Sequence, residues 1–168
     1  MKFSILFTLA LTTVLFTAQR TWACACSLPP TDTEEQLRKQ VEYSLGQDTA
    51  IFLGRVKEKD ARRIKFKVER VWKGEIRNEA TLVTGAQMLE GGRYAVSTCV
   101  RTDFVPGRRY LIFAPGTAGG LSASKCSWTM PVNEAVRFVR ELDRQRQEKK
   151  VRAFPRRNPT TARTLPST

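Results

Sequence analysis

The residues of this 168-residue chain with most chemical potential are four cysteines: Cys24 and Cys26 in the stretch ACACSLPP, then Cys99 and Cys126 far along the chain. There is no histidine. That removes Ser-His and Cys-His nucleophile arrangements, the H-E-x-x-H zinc site and most general-base designs. The acidic pair Glu34-Glu35 is explained by the start of a helix, where carboxylates are favoured. PGTAGG, at residues 115–120, lacks the Lys and Ser/Thr of a phosphate loop, and no helix pattern follows it, so it reads as an interstrand loop. The chain is therefore not expected to be an enzyme, and no cofactor and no intrinsic metal are expected.

Whether the cysteines are thiols depends on compartment. Met1-Lys2, the apolar run Ile5–Phe16 and small residues in Thr21-Trp22-Ala23 form a secretory signal peptide at residues 1–23, cut after Ala23. An uncleaved anchor and a lipidated Cys24 are the rivals. Gln19-Arg20 end the apolar run early, and Thr21 replaces the bulky residue a lipobox needs. Export places the protein outside the cell, or in the periplasm of a bacterium, where disulfides persist. A Cys24–Cys26 ring would constrain almost nothing. Pairing each of them with Cys99 or Cys126 closes loops of roughly 75 to 100 residues, which the chain-entropy argument values at about 4 to 5 kcal/mol each. A four-cysteine metal site is the alternative, with poor zinc-finger spacing.

Cleavage before Cys24 would also create a free α-amine, with a pKa of about 7.7 to 8.0 and hence a neutral fraction at neutral pH. That amine and the Cys24 carbonyl oxygen form a five-membered chelate for a metal. Disulfides at Cys24 and Cys26 would hold the chelate rigid and lower the ordering cost of binding. The simpler reading is that they only staple a loose terminus to a small core.

The formal charge of +13 is concentrated at the end. From Arg144 onward, eight Lys or Arg face one Glu, net +7. Lys2 and Arg20 carry +2, which leaves +4 for residues 24–143. Residues 144–168 read as a basic, solvated, disordered tail, or one that holds the protein near acidic glycans or lipid headgroups. Without aromatic interleaving, nucleic acid is not an expected partner. The protein is expected to be a monomer.

The elements that position these groups follow from periodicity. Thr31 and Glu34 predict a capping box for a first helix with Leu37, Val41 and Leu45 on one face and Gly46 as its stop. Strands are predicted at Ala50–Val56, with a bulge or bend at Gly54, and at Ile64–Trp72, where Arg70 interrupts the alternation. Others are predicted at Ala80–Thr84, Tyr94–Val100, Arg109–Ala114 and Leu121–Trp128. Residues 85–92 and 116–120 read as loops. Asn133 would cap a final helix with Ala135, Val136, Val139 and Leu142 buried. The sum is a mainly β fold with flanking helices. An OB-fold-like five-stranded barrel over residues 24–143 suits it, since closure removes exposed edges.

The start CACSLPP resembles the C-x-C start of the tissue inhibitors of metalloproteinases, the netrin-like OB-fold family. AIFLGRV resembles the family's first barrel strand, and KFKVERVWKGEI its next strand and turn. CVRTDFVPGRRYLIFA and GGLSASKCSWTMP resemble its cysteine, F-x-x-G-x-x-YLI, G-x-L and second-cysteine run, so the likeness covers about residues 24–142. It implies the pairs Cys24–Cys99 and Cys26–Cys126. It implies a secreted metalloprotease inhibitor whose Cys24 amine and carbonyl chelate the catalytic zinc of a target endopeptidase. Ala25 would enter the specificity pocket, and Cys26, Ser27, Ser97 and Thr98 would also touch the protease. The family's third disulfide and second cysteine-rich domain are missing, and Ala25 stands where animal members have Ser or Thr. The competing class is a non-inhibitory secreted binding or structural module that uses the same barrel's loops or the basic tail.

Overall fold

The computed structural model describes Cys24 and residues 26–117 and 120–153. The leader, Ala25 and the residues after Ala153 lie outside the described residues. Helix α1 spans Glu34–Gln47. Its cap is Thr33, two residues later than predicted: the Thr33 hydroxyl accepts from the Gln36 N–H at 3.2 Å, and the Gln36 side chain accepts from the Thr33 N–H at 3.1 Å. The Thr-x-x-Gln spacing at 33–36 satisfies the same capping geometry as Thr-x-x-Glu at 31–34 and sets the helix further from Pro29-Pro30. Gly46 lies inside the helix and does not stop it; the chain leaves through an extended Asp48, whose N–H bonds to the Ser44 carbonyl.

Among the described residues nine strands follow: β1 Ala50–Lys59, β2 Arg63–Lys73, β3 Glu79–Val83, β4 Gln87–Met88, β5 Tyr94–Ala95, β6 Arg109–Ala114, β7 Gly116–Thr117, β8 Gly120–Leu121 and β9 Met130–Pro131. Seven form one sheet in the order β7-β8-β3-β2-β1-β6-β9, and β4 and β5 pair separately. The sheet is mixed, because β3 and β8 run parallel. Among the described residues no ladder joins its end strands β7 and β9, so the predicted five-stranded closure is not formed by strand pairing. Only Pro115 separates β6 from β7, although the two lie near opposite ends of the strand order.

Three bulges bend the long β1–β2 pair. Gly54 sits at one of them, as predicted, and a Cβ there would lie 3.2 Å from the Lys67 carbonyl oxygen and from the Phe52 and Phe66 side chains. The bulges also explain the interrupted alternation of β2. The pairing passes from Leu53 with Arg70 to Gly54 with Val68, leaving Glu69 as an extra residue. That changes the parity, so Val71 joins the same core as Val68 while Trp72 joins the opposite one.

β1 and β6 are thus covered on both faces. One core contains Phe52, Phe66, Phe104 and Tyr110, whose rings meet edge to face in sequence at 5.9, 5.3 and 4.9 Å. The other packs Ile51, Leu111 and Phe113 against Leu37 and Val41 of α1 and against Ala135, Phe138 and Leu142.

The last two belong to α2, Val136–Ala153. Asn133 is not its cap. A turn in which the Ala135 N–H bonds to the Val132 carbonyl intervenes, and Val136 is exposed while Phe138 takes the buried place. The helix runs past Arg144, where the tail was expected to start. Buried Gln145 donates to the Arg38 carbonyl of α1 at 3.2 Å and to Glu141 at 2.7 Å, so this part of the segment has tertiary partners.

Two further strand predictions shrink. Tyr94–Val100 keeps only β5, and Cys99 lies in a turn. Leu121–Trp128 keeps only Leu121, while Cys126 lies in a second turn. Serines account for both: the Ser97 hydroxyl accepts from the Cys99 N–H and the Ser124 hydroxyl from the Cys126 N–H, local bonds that compete with a ladder.

Candidate functional site

The site is built on those two cysteine turns. The Cys99 turn is closed by the Val100 N–H on the Ser97 carbonyl at 3.1 Å, and the Cys126 turn by the Ser127 N–H on the Ser124 carbonyl at 3.2 Å. The turns are tied together by a bridge between Val100 and Ser124 and by the Lys125 N–H on the Cys99 carbonyl at 2.8 Å. Behind them the Arg101 N–H bonds to the carbonyl of buried Ala123. Cys99 and Cys126 are therefore neighbours before any sulfur chemistry is considered.

The C-x-C segment crosses both turns. Cys24 is disulfide-bonded to Cys99 and Cys26 to Cys126, with Cα–Cα distances of 5.1 Å in each pair and sequence separations of 75 and 100. This is the pairing that the family resemblance implied. The two disulfides lie against each other: the Cys24 Sγ is 3.8 Å from the Cys26 Sγ and 3.6 Å from the Cys126 Sγ. As disulfides these sulfurs are not thiolates.

Cys24 is partly covered, whereas Cys26, Ser27, Leu28, Ser97 and Thr98 are exposed. The Cys24–Cys99 bond brings Cys24 beside the Ser97-Thr98 turn. Ala25 lies outside the described residues.

A flank of this surface was not predicted. The β4–β5 hairpin, read from sequence as loop and strand, exposes Met88, Leu89, Tyr94 and Val96, the last adjoining Ser97. Gly91 and Gly92 take positive φ at its tip, and the Arg62 guanidinium lies 5.4 Å from the Tyr94 ring centre. The signal was available as Met-Leu and Tyr on either side of Glu90-Gly91-Gly92, a hairpin pattern with bulky apolar arms.

No protein-family model matches this chain, and no curated protein matches it. Two disulfides are present, and among the described residues no helix is long and apolar enough to cross a membrane.

Proposed function

We propose that the protein is a secreted inhibitor of zinc endopeptidases, related to the tissue inhibitors of metalloproteinases, and that it acts through the C-x-C segment. The supporting observation is the doubly clamped Cys24–Cys26 segment beside the exposed Ser97-Thr98 turn. After removal of residues 1–23, the Cys24 amine and carbonyl oxygen chelate the zinc of the target. Ala25 points into the pocket next to the metal, and Cys26, Ser27, Ser97 and Thr98 line the contact. In this reading the curled sheet is an OB-type barrel. The rigid clamp means that little conformational freedom is lost on binding.

The test is titration of protein beginning at Cys24 against a panel of zinc endopeptidases. Inhibition should disappear when one alanine is added before Cys24 or when the amine is carbamylated, with the melting curve unchanged. Ala25→Thr should strengthen binding by about 1 to 3 kcal/mol, through its added methyl and hydroxyl. Full inhibition by the alanine-extended protein would overturn the chelate. An absence of inhibition across the panel would favour a binding module that uses the exposed hairpin or basic surface.

A further inference from the structure

We infer that the four cysteines form a redox-gated metal site: once both disulfides are reduced, the same sulfurs bind one Zn2+ as four thiolates. The inference is independent of the inhibitor reading, because it concerns the sulfurs and not the Cys24 amine.

The spacing carries it. In a tetrahedral zinc site with Zn–S bonds of about 2.3 Å, any two sulfurs stand about 3.8 Å apart. The unbonded pairs Cys24–Cys26 and Cys24–Cys126 already stand at 3.8 and 3.6 Å. The Sγ atoms of Cys24, Cys26 and Cys126 all lie within 4.8 Å of one another; the Sγ of Cys99, bonded to that of Cys24, is outside this group and becomes the fourth ligand only when its side chain turns inward after that bond opens. Reduction lets each bonded pair separate toward that spacing by rotation of the cysteine side chains.

The scaffold for half of the ligands does not depend on sulfur. Lys125 N–H on the Cys99 carbonyl, the Val100–Ser124 bridge and the Ser124 hydroxyl bond to the Cys126 N–H keep Cys99 and Cys126 together. The metal then gathers Cys24 and Cys26 from a single short segment. Cys26 and Cys126 are exposed, which gives the ion a way in. A zinc tetrathiolate carries net charge −2, against the net +4 of residues 24–143.

The chemistry balances with a phosphine as reductant. For each disulfide, one phosphine gives two electrons and takes the oxygen of one water to become a phosphine oxide, and the two protons of that water complete two thiols. The four thiols release four protons as the ion binds.

The experiment uses the full chain, reduced anaerobically and freed of phosphine, and Co2+ as the probe. One equivalent should produce the visible bands of tetrahedral cobalt and near-ultraviolet thiolate charge transfer, and one equivalent of Zn2+ should abolish both. Zn2+ should shield all four cysteines from alkylation, as read by mass spectrometry, and raise the melting temperature of the reduced chain. Cys99→Ser and Cys126→Ser should each lower the charge-transfer intensity by about a quarter, in proportion to ligand count. Absence of a one-to-one tetrahedral signal would overturn the proposal. So would a signal unchanged in either variant, and so would binding that leaves the melting temperature where it was, since the ion would then be held by an unfolded chain.

Discussion

At the helix end of the molecule, Leu37, Val41, Phe138 and Leu142 are buried between the helix pair and the sheet. At the disulfide end, Cys26, Ser27, Ser97, Thr98 and Cys126 are all exposed, and Cys24 and Cys99 only partly covered. The helix end is held by removal of apolar surface from water. The disulfide end has almost no such surface to bury, and its segments are held by covalent bonds and by short backbone hydrogen bonds within turns. A surface tied down in this way stays exposed, whereas apolar packing would fix it only by covering it.

The largest effect should come from breaking the covalent end. Replacing Cys26 and Cys126 together by Ser opens a loop with a sequence separation of 100. The chain-entropy argument puts the cost at about 4 to 5 kcal/mol, to be read from the urea midpoint. Near-native chemical shifts should persist in α1 and α2 under native conditions while those of residues 24–30 change. A loss below about 1 kcal/mol would mean that the Cys24–Cys99 bond and the turn hydrogen bonds suffice without the second disulfide, and the contrast between the two ends would weaken.

Next comes the packed end. Phe138 is buried with its ring 6.1 Å from Phe113 and 5.1 Å from Trp128. Phe138→Ala should cost about 3 kcal/mol or somewhat more, by lost transfer energy and the cavity left behind. Both disulfides should form as before, by non-reduced peptide mapping. If this substitution also scrambles the pairing, the two ends are coupled and the separation drawn here is wrong.

The parts of the fold that were legible are those fixed by local pattern. β6 matches its predicted range, Arg109–Ala114, because six consecutive residues with one strong β signature leave little choice. Gly54 was readable as a bulge because a glycine inside an apolar strand has few other uses. The end of the final helix was not readable. After Leu142 the apolar stripe gives way to charge, yet Gln145 continues the buried face through hydrogen bonds that hydropathy does not register. The partners of Asp143 were equally hidden: exposed Arg70 donates to it at 2.7 Å and half-buried Trp72 Nε1 at 2.9 Å, contacts that β2 and α2 make only across the fold. At the candidate site, the four cysteines were visible as the chemically distinctive residues. Their pairing came from family likeness, since spacing alone allowed Cys24 and Cys26 to exchange partners. The apolar hairpin escaped notice because its two-residue strands are too short to show a period.

The smallest effect concerns how the helix end meets the sheet. Asp48 leaves α1 at its C-terminus, where the helix dipole disfavours a negative charge. Burial pushes its pKa up from 3.8 to about 6, with nearby Lys73 and a hydrogen bond from Ser44 offsetting only part of the shift. The folded state therefore binds this proton more tightly than the unfolded one. The Asp48 contribution to stability is greatest below about pH 4, falls between about pH 4 and 6, and is lost above that window. Glu141 has the opposite sign. Burial would raise its pKa, but hydrogen bonds from Arg144 and Gln145 outweigh burial and hold it below 4.5, so its contribution is lost as the pH falls. Asp48→Asn keeps the shape and removes the buried charge. After allowance for solvent screening at a partly covered site, it should stabilise the protein at pH 7 by about 1 kcal/mol. At pH 4 it should have almost no effect. The check is a pair of urea titrations at the two pH values, repeated in the Cys26→Ser, Cys126→Ser double variant. An equal gain in both backgrounds means that the helix end keeps its own energetics when the disulfide end is opened. A gain that vanishes with the disulfide would show that Asp48 is buried only because the distant clamp holds the sheet.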